Sequence, residues 1–421
     1  LQTWCCPVNG RLPLRVLLEL CLVTWLLFWL KRHHFTTFDF FGYGPLYSDE
    51  RLLPLLVAWL LTALSIWWLP PSRRPTLTLV GGLVTGLMAY PLLMPAILAL
   101  TWGGHALLHA ARFTTLQKLT LLTALHAALG AAAWEWLELR TLALVFVSLT
   151  FFRTLRYWHE LARRRYPPIP IGDFLRYQLP AASFVIHPYL VVIPPFSLIP
   201  PSRDRLEMHR EGLSHVWFGL LTLMASYALI AGLRFVFPVT PTDPLRWHLW
   251  AMVDLLYILT YAAANAGFLV GLMLLQGMDV KPAFNHPWFA ANLFEYWNRF
   301  IIHFKDLQVA LFYFPTVLSL RRRRREIAVL TGVAVTFVFG NNLVHLMGRY
   351  LYSEDLMTRF PHAVLQNLAL TGVMSAAFLW EEYKARRKTA GRPLRMPLKG
   401  LPARMIGIYF TLAVTSWIWH L

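Results

Sequence analysis

Long apolar runs separated by short basic clusters recur along the whole 421-residue chain. A helix that crosses a bilayer needs about 20 mostly apolar residues. Runs of roughly that length stand at residues 12–30, 52–69, 76–111, 119–136, 142–155, 214–237, 248–277, 326–347, 362–380 and 401–419. The run at 76–111 is long enough for two helices broken near Pro91 and Pro95. The pattern predicts an all-α, polytopic membrane protein of about ten transmembrane helices. Two further segments are apolar but do not read as simple spans. Residues 174–201 carry Pro180, Pro188, Pro194, Pro195, Pro200 and Pro201, and proline removes a backbone donor. Residues 292–315 are amphipathic, with Glu295, Arg299, Lys305 and Asp306 set among aromatics. Irregular or charged backbone at membrane depth is tolerated only where protein or a wet cavity covers it, so both read as re-entrant or interfacial pieces.

Composition supports a lipid-facing surface. The chain is 57% hydrophobic and 14% charged, where a soluble domain carries about a quarter charged residues. It has 18 Trp, 16 Tyr and 28 Phe; Trp and Tyr favour the membrane–water boundary. The net charge of +18 would suggest nucleic acid in a soluble protein. Here the basic residues sit between apolar runs, as positive-inside loops do, and no basic–aromatic nucleic-acid motif accompanies them. Cys5, Cys6 and Cys21 show neither a disulfide framework nor zinc-ligand spacing. The run at 12–30 is too long for a signal-peptide core and reads as a retained helix.

The loop charges constrain topology. Residues 153–176 hold six Arg, residues 203–210 three, residues 321–325 five in a row, and residues 384–404 eight Lys or Arg. If all four face the cytoplasm, residues 174–201 enter and leave on one side, and so does the segment between Lys281 and Arg321. The helix pair 326–347 and 362–380 then makes an out-and-back excursion.

Ionisable and strongly polar groups inside spans are costly, so each is a candidate for chemistry. His345 lies in Gly340-Asn341-Asn342-Leu343-Val344-His345; imidazole titrates near neutral pH and can take a proton from a hydroxyl. The plain alternative is a histidine hydrogen-bonded between helices. Asn298, in Glu295-Tyr296-Trp297-Asn298-Arg299, can hold a hydroxyl or a thioester carbonyl, or can serve as a helix cap. His303 shares its segment and is a second candidate base, and His286, beside Pro287, is placed to line an approach. His105 and His109 share a helix face, but a metal or haem needs further ligands, and no metal is expected.

In order, these motifs resemble the membrane-bound O-acyltransferase (MBOAT) superfamily, in particular its bacterial alginate O-acetyltransferase branch. Phe294-Glu295-Tyr296-Trp297-Asn298 looks like the family's Phe-Trp-Arg-Arg-Trp-His/Asn motif. Lys305-Asp306 through Phe312-Tyr313-Phe314-Pro315 is similar to its Arg-Asp-Tyr-x-Tyr-x-Pro stretch, Arg321 to Arg325 to its basic loop, and Gly340 to His345 to its Gly-Leu-Trp-His helix. Upstream, Lys281 to Trp288 looks like the Asn-Phe-x-x-Pro-Tyr approach, Ser148 to Phe152 like the Ser-Phe-Tyr-Thr-Phe segment, and Gly172 to Tyr177 with the proline-rich piece like its Phe-Phe-Pro…Gly-Pro segment. The resemblance covers residues 148–348. The chain departs from it at Tyr261 to Gly267, where the branch carries an acidic Asp-Phe-Ser-Gly-Tyr-Ser, at Glu295 and Tyr296 in place of two Arg, and at Val344 in place of Trp.

The resemblance implies an organisation of N-terminal transmembrane helices (1–147), an MBOAT-like core with re-entrant segments (148–348) and C-terminal transmembrane helices (349–421). It implies transfer of an acetyl or short acyl group from acyl-CoA, the donor substrate, to a hydroxyl of a glycan or lipid acceptor. His345 would be the general base and Asn298 would orient a substrate. Trp297, His286, His303, Lys305 and Asp306 would line the substrate site. Implied partners are membrane lipids and other membrane or periplasmic subunits, with no nucleic acid, and the implied location is a bacterial inner membrane. Two rival readings stay open: a non-catalytic MBOAT-like subunit of a membrane complex, and a transporter or haem-binding electron carrier.

Overall fold

The computed structural model describes residues 14–32, 49–91, 94–137, 147–163, 167–186, 204–238, 243–290, 292–345 and 356–389. Among them every regular element is helical and there is no strand. The chain is all-α. The helices follow the apolar runs: α1 (Leu14–Arg32), α2 (Asp49–Trp68), α3 (Arg74–Ala89), α4 (Met94–His109), α5 (Thr115–Leu137), α6 (Arg153–Ala162), α7 (Ile171–Gln178) and α8 (Ala182–Val185) come first. Then come α9 (Arg205–Val236), α10 (Pro244–Leu275), α11 (Leu293–Arg299), α12 (Ile302–Gln308), α13 (Phe314–Ser319), α14 (Arg325–Ala334), α15 (Asn342–His345) and α16 (Leu356–Thr389). The break between α3 and α4 falls at Tyr90 and Pro91, beside the prolines that predict it. The run predicted at 401–419, and most of the proline-rich stretch after Ile186, lie outside the described residues.

Among the described residues, Arg205–Val236 and Leu245–Leu275 are long and apolar enough to cross a membrane, and Leu52–Trp68 and Asn367–Trp380 are shorter apolar helices. Three segments widen into π turns: Val147–Phe152, Val309–Tyr313 and Val335–Asn341. The last two belong to the amphipathic segment predicted as re-entrant and to the helix carrying His345. π turns concentrate at functional positions because they redirect side chains within an otherwise regular helix.

The chain forms two compact units, one of residues 1–129, 148–220 and 267–281, the other of residues 130–147, 221–266 and 282–421. In the first, α2 packs on α1 and α3, α7 packs on α3 and α4, and α6 packs on α4. Leu20, Leu55, Leu56 and Trp59 are fully buried. Glu19, a carboxylate inside the first apolar run, is met by Arg15 Nε at 2.7 Å and by His209 Nε2 at 2.8 Å. Glycine permits close helix approach in this unit. A Cβ on Gly271 would lie 2.8 Å from the Gly212 carbonyl oxygen, and one on Gly267 would lie 3.0 Å from Phe218. Gly267 and Gly271 form the small-xxx-small spacing by which apolar helices bring their backbones together.

In the second unit, α13 packs on α14, and α16 packs on α11, on α14 and on the π turn Val335–Asn341. Two apolar clusters knit them: Leu259, Ala290 and Tyr296, and Val333, Phe337 and Met374. Trp297, Leu293 and Leu370 pack against both.

The contact at Gly271 is against backbone, which cannot rotate away. Gly271→Val is expected to lower the unfolding midpoint in detergent, by about 1–3 kcal/mol of overpacking strain. Gly232, with open space around the Cβ position, accepts alanine without loss. A thermal scan by size-exclusion chromatography that ranks the two substitutions equally would refute this account of the packing.

Candidate functional site

The segment 283–308 is held by its own backbone. The Asn285 N–H donates to the Arg299 carbonyl at 2.9 Å and the Ile302 N–H to the Ala283 carbonyl at 2.7 Å, so the approach segment and the end of α11 are tied together. Asn292 caps α11, its side chain accepting from the Glu295 N–H at 2.7 Å, and Glu295 pairs with Arg299 one turn on. Among the described residues the two non-glycine positions with left-handed backbone are His286 (φ 48°) and Ile301 (φ 39°), which bracket α11. A β-branched residue in that region is strained, and such strain gathers at functional sites.

Asn298 is exposed on the last turn of α11. Its side-chain oxygen accepts from Lys305 Nζ at 3.4 Å, and Lys305 Nζ also lies 3.0 Å from Asp306 Oδ1. Three of the sequence-predicted residues therefore form one surface cluster. Trp297 is half-buried, its ring 4.8 Å from Phe337 and 5.9 Å from Phe300. His286 is exposed and its ring stacks on Phe289 at 6.2 Å. His303 is buried on α12. His345 is the last described residue of its helix, and its imidazole lies outside the described residues. Trp297, the neighbour of Asn298, packs on Phe337 of the π turn that runs on into α15 and His345.

A row of side-chain amides in the same unit went unnoticed in the sequence. Gln308 Nε2 donates to Asn341 Oδ1 at 3.4 Å, Asn341 Nδ2 to Asn367 Oδ1 at 2.6 Å, Asn367 Nδ2 to Asn342 Oδ1, and Asn342 Nδ2 to the Val338 carbonyl at 2.6 Å. Gln308, Asn342 and Asn367 are buried. The row joins α12, the π turn with α15, and α16. Its signal in the sequence is the adjacent pair Asn341-Asn342 in one apolar run and Asn367 in the next. Glycine makes room for it: a Cβ on Gly340 would lie 2.7 Å from the Phe312 ring, and one on Gly332 2.8 Å from Val317.

A second buried polar group occupies the first unit. Arg153 and Arg156 count among loop charges in the sequence, yet both are buried on α6. Arg153 donates to the Gln178 carbonyl at 2.6 Å and to Ser183 Oγ at 2.8 Å, and the Tyr177 hydroxyl donates to the Arg153 carbonyl at 3.2 Å. Arg156 pairs with Glu160 at 3.0 Å. The loop assignment fails for Arg153 because α7 and α8 supply its acceptors, and for Arg156 because Glu160 on the same helix pairs with it. Tyr157 takes the Ile169 N–H at 3.1 Å and lies 3.1 Å from His109 Nε2. Burial pushes the phenols of Tyr157 and Tyr177 above their ordinary range, so both stay neutral. The rings of His105 and His109 are 4.4 Å apart, and each spends a ring nitrogen on the protein, His105 on the Ile169 carbonyl and His109 on Tyr157. Among the described residues no group of three His, Cys, Asp or Glu is placed to hold a metal ion.

No protein-family model matches the chain, and no curated protein matches it.

Asn367 is the central member of the amide row, both accepting and donating. Replacing it with leucine strands the Asn341 amide and the Asn342 carbonyl in an apolar interface. Asn367→Leu is expected to cost about 1–2 kcal/mol of stability in detergent, whereas Asn298→Ala, at an exposed position, costs none that is measurable. Denaturant titration of the two variants beside wild type checks the order.

Proposed function

We propose that the protein is a multi-pass membrane O-acyltransferase that moves an acetyl or short acyl group from acyl-CoA to a hydroxyl of a glycan or lipid acceptor. The observation that carries this reading is the π turn Val335–Asn341. It meets Trp297, the neighbour of Asn298, through Phe337, and it continues into the helix that carries His345. The two polar positions singled out by the family resemblance are thus linked through one packed element.

Surface character supports the membrane setting. On α1, Leu14, Leu18, Leu22, Trp25 and Trp29 are exposed at helical spacing, and on α2 so are Leu53, Val57 and Leu61. In water such stripes promote aggregation; in lipid they are the solvent-facing surface. About ten spans, from the apolar runs, and a bacterial inner membrane complete the reading. The five arginines 321–325 are exposed, four in the turn after α13 and Arg325 at the start of α14. They suit electrostatic capture of a polyanionic nucleotide thioester from the cytoplasm.

In this mechanism His345 takes the proton of the acceptor hydroxyl as its oxygen attacks the thioester carbonyl. The C–S bond breaks and the thiolate leaves with a proton, giving an ester and free CoA. Asn298, with Lys305 beside it, orients the bound partner by hydrogen bonding.

The test is thiol release from acetyl-, butyryl- and octanoyl-CoA by the purified protein in lipid nanodiscs, with soluble glycan and lipid acceptors. His345→Ala is expected to lower kcat by about 10²–10⁴, and Asn298→Ala by about tenfold, with folding unchanged. Turnover that survives His345→Ala removes it as the base. Absence of turnover in wild type with every donor and acceptor defeats the enzyme reading in favour of a structural subunit.

A further inference from the structure

His105 and His109 stand one turn apart on α4, with their ring centres 4.4 Å from each other. The peptide at Ile169 fixes how the rings are turned. Its carbonyl can only accept, so His105 Nε2, 2.9 Å away, carries a proton. Its N–H donates to the Tyr157 hydroxyl oxygen at 3.1 Å, and that oxygen lies 3.1 Å from His109 Nε2. A hydroxyl oxygen has two lone pairs, so it can take the Ile169 N–H and a His109 Nε2–H together. Both histidines thus turn Nε2 onto the protein and leave Nδ1 over. Among the described residues neither Nδ1 has a hydrogen-bond partner. His105 is half-buried and His109 is exposed at the end of its helix.

That arrangement is the one found around a metal-bound imidazole. One ring nitrogen holds the ion and the other donates to an oxygen, which sets the tautomer and the ring orientation. The spacing agrees. With metal–nitrogen bonds of about 2.0–2.1 Å, two imidazoles at right angles around one ion place their ring centres roughly 4.5 Å apart, and tetrahedral ones roughly 5.2 Å. The 4.4 Å seen here fits the right-angle case, which copper(II) and nickel(II) prefer. Neutral imidazoles bring no negative charge, and Lys118 Nζ sits on the neighbouring Leu108 carbonyl at 2.7 Å. Such a setting suits ions that favour nitrogen and rejects magnesium and calcium, which need anionic oxygen. Two protein ligands leave the other positions to water, which an exposed site supplies.

We propose that His105 and His109 bind one divalent ion of tetragonal preference, copper(II) foremost, through their Nδ1 atoms. Tyr157 is a positioning residue that holds the His109 ring. The site uses no residue of the acyl-transfer reading and is independent of it. Tyr157 lies on α6 and Ile169 just before α7, so an ion here clips α4 to both.

The full-length protein in nanodiscs, purified through a tag without histidine, is titrated with copper(II) and followed by electron paramagnetic resonance and by calorimetry. Wild type is expected to bind an ion whose spectrum shows two imidazole nitrogens. Tyr157→Phe, which removes the oxygen behind His109, should weaken binding by about tenfold and keep the two-nitrogen spectrum. His109→Ala should lose one nitrogen from the spectrum and cost more affinity than Tyr157→Phe. His105→Gln, whose amide can keep the bond to the Ile169 carbonyl, should do the same; where it disturbs folding, His109→Ala, at an exposed position, decides alone. A wild-type spectrum without two imidazole nitrogens overturns the proposal, as does wild-type affinity in His109→Ala. Calcium binding as tight as copper binding overturns the assignment of the ion.

Discussion

Asn367 bonds two consecutive residues of the facing helical stretch at once, donating to Asn342 and accepting from Asn341. In apolar surroundings a side-chain amide costs least when its donor and its acceptor are both engaged. Three helices must therefore arrive in register before any one amide is satisfied. That requirement, more than apolar contact, sets how α12, the His345 helix and α16 lie against each other, because apolar side chains in lipid gain little by choosing one neighbour over another. The flat contact of Gly340 on the Phe312 ring belongs to the same arrangement. It brings α12 and its π extension close enough for the long side chain of Gln308 to reach Asn341.

The first unit handles ionisable groups differently. Glu19 is shared between a same-helix arginine and a histidine from α9. Among the described residues no carboxylate accepts from Arg153; a backbone carbonyl and a serine hydroxyl take its two terminal nitrogens, while its Nε is buried without a partner. A guanidinium is weakly hydrated for a cation and spreads its charge over five N–H groups, which lets neutral acceptors hold it where an ammonium would fare worse. The turn from Gln178 to Ser183, which contains Pro180, supplies both of these acceptors.

Much of the helical framework was legible from apolar run lengths and from prolines. The break after α3 falls beside Pro91, where the prolines predict it. Asn298, Lys305 and Asp306 could be read as one cluster because they share a short amphipathic stretch. What the sequence concealed is long-range. Gln308 meets Asn341 33 positions away, and Asn341 meets Asn367 26 positions away. A single chain gives no sign of which polar residues in separate apolar runs will find each other. Arg153 was obscured for the same reason: its partners lie 25 and 30 positions on, and charge counting treats any arginine near an apolar boundary as solvated.

The two backbone ties across residues 283–302, together with the left-handed turn at Ile301, close the approach segment and α11 into a ring. A helix fastened at its far end by main-chain bonds and capped by Asn292 at the other has little freedom to swing. Trp297 is therefore an anvil rather than a flap. Any molecule that settles on it must conform to the protein, and discrimination rests on fit at first contact instead of on a closing motion.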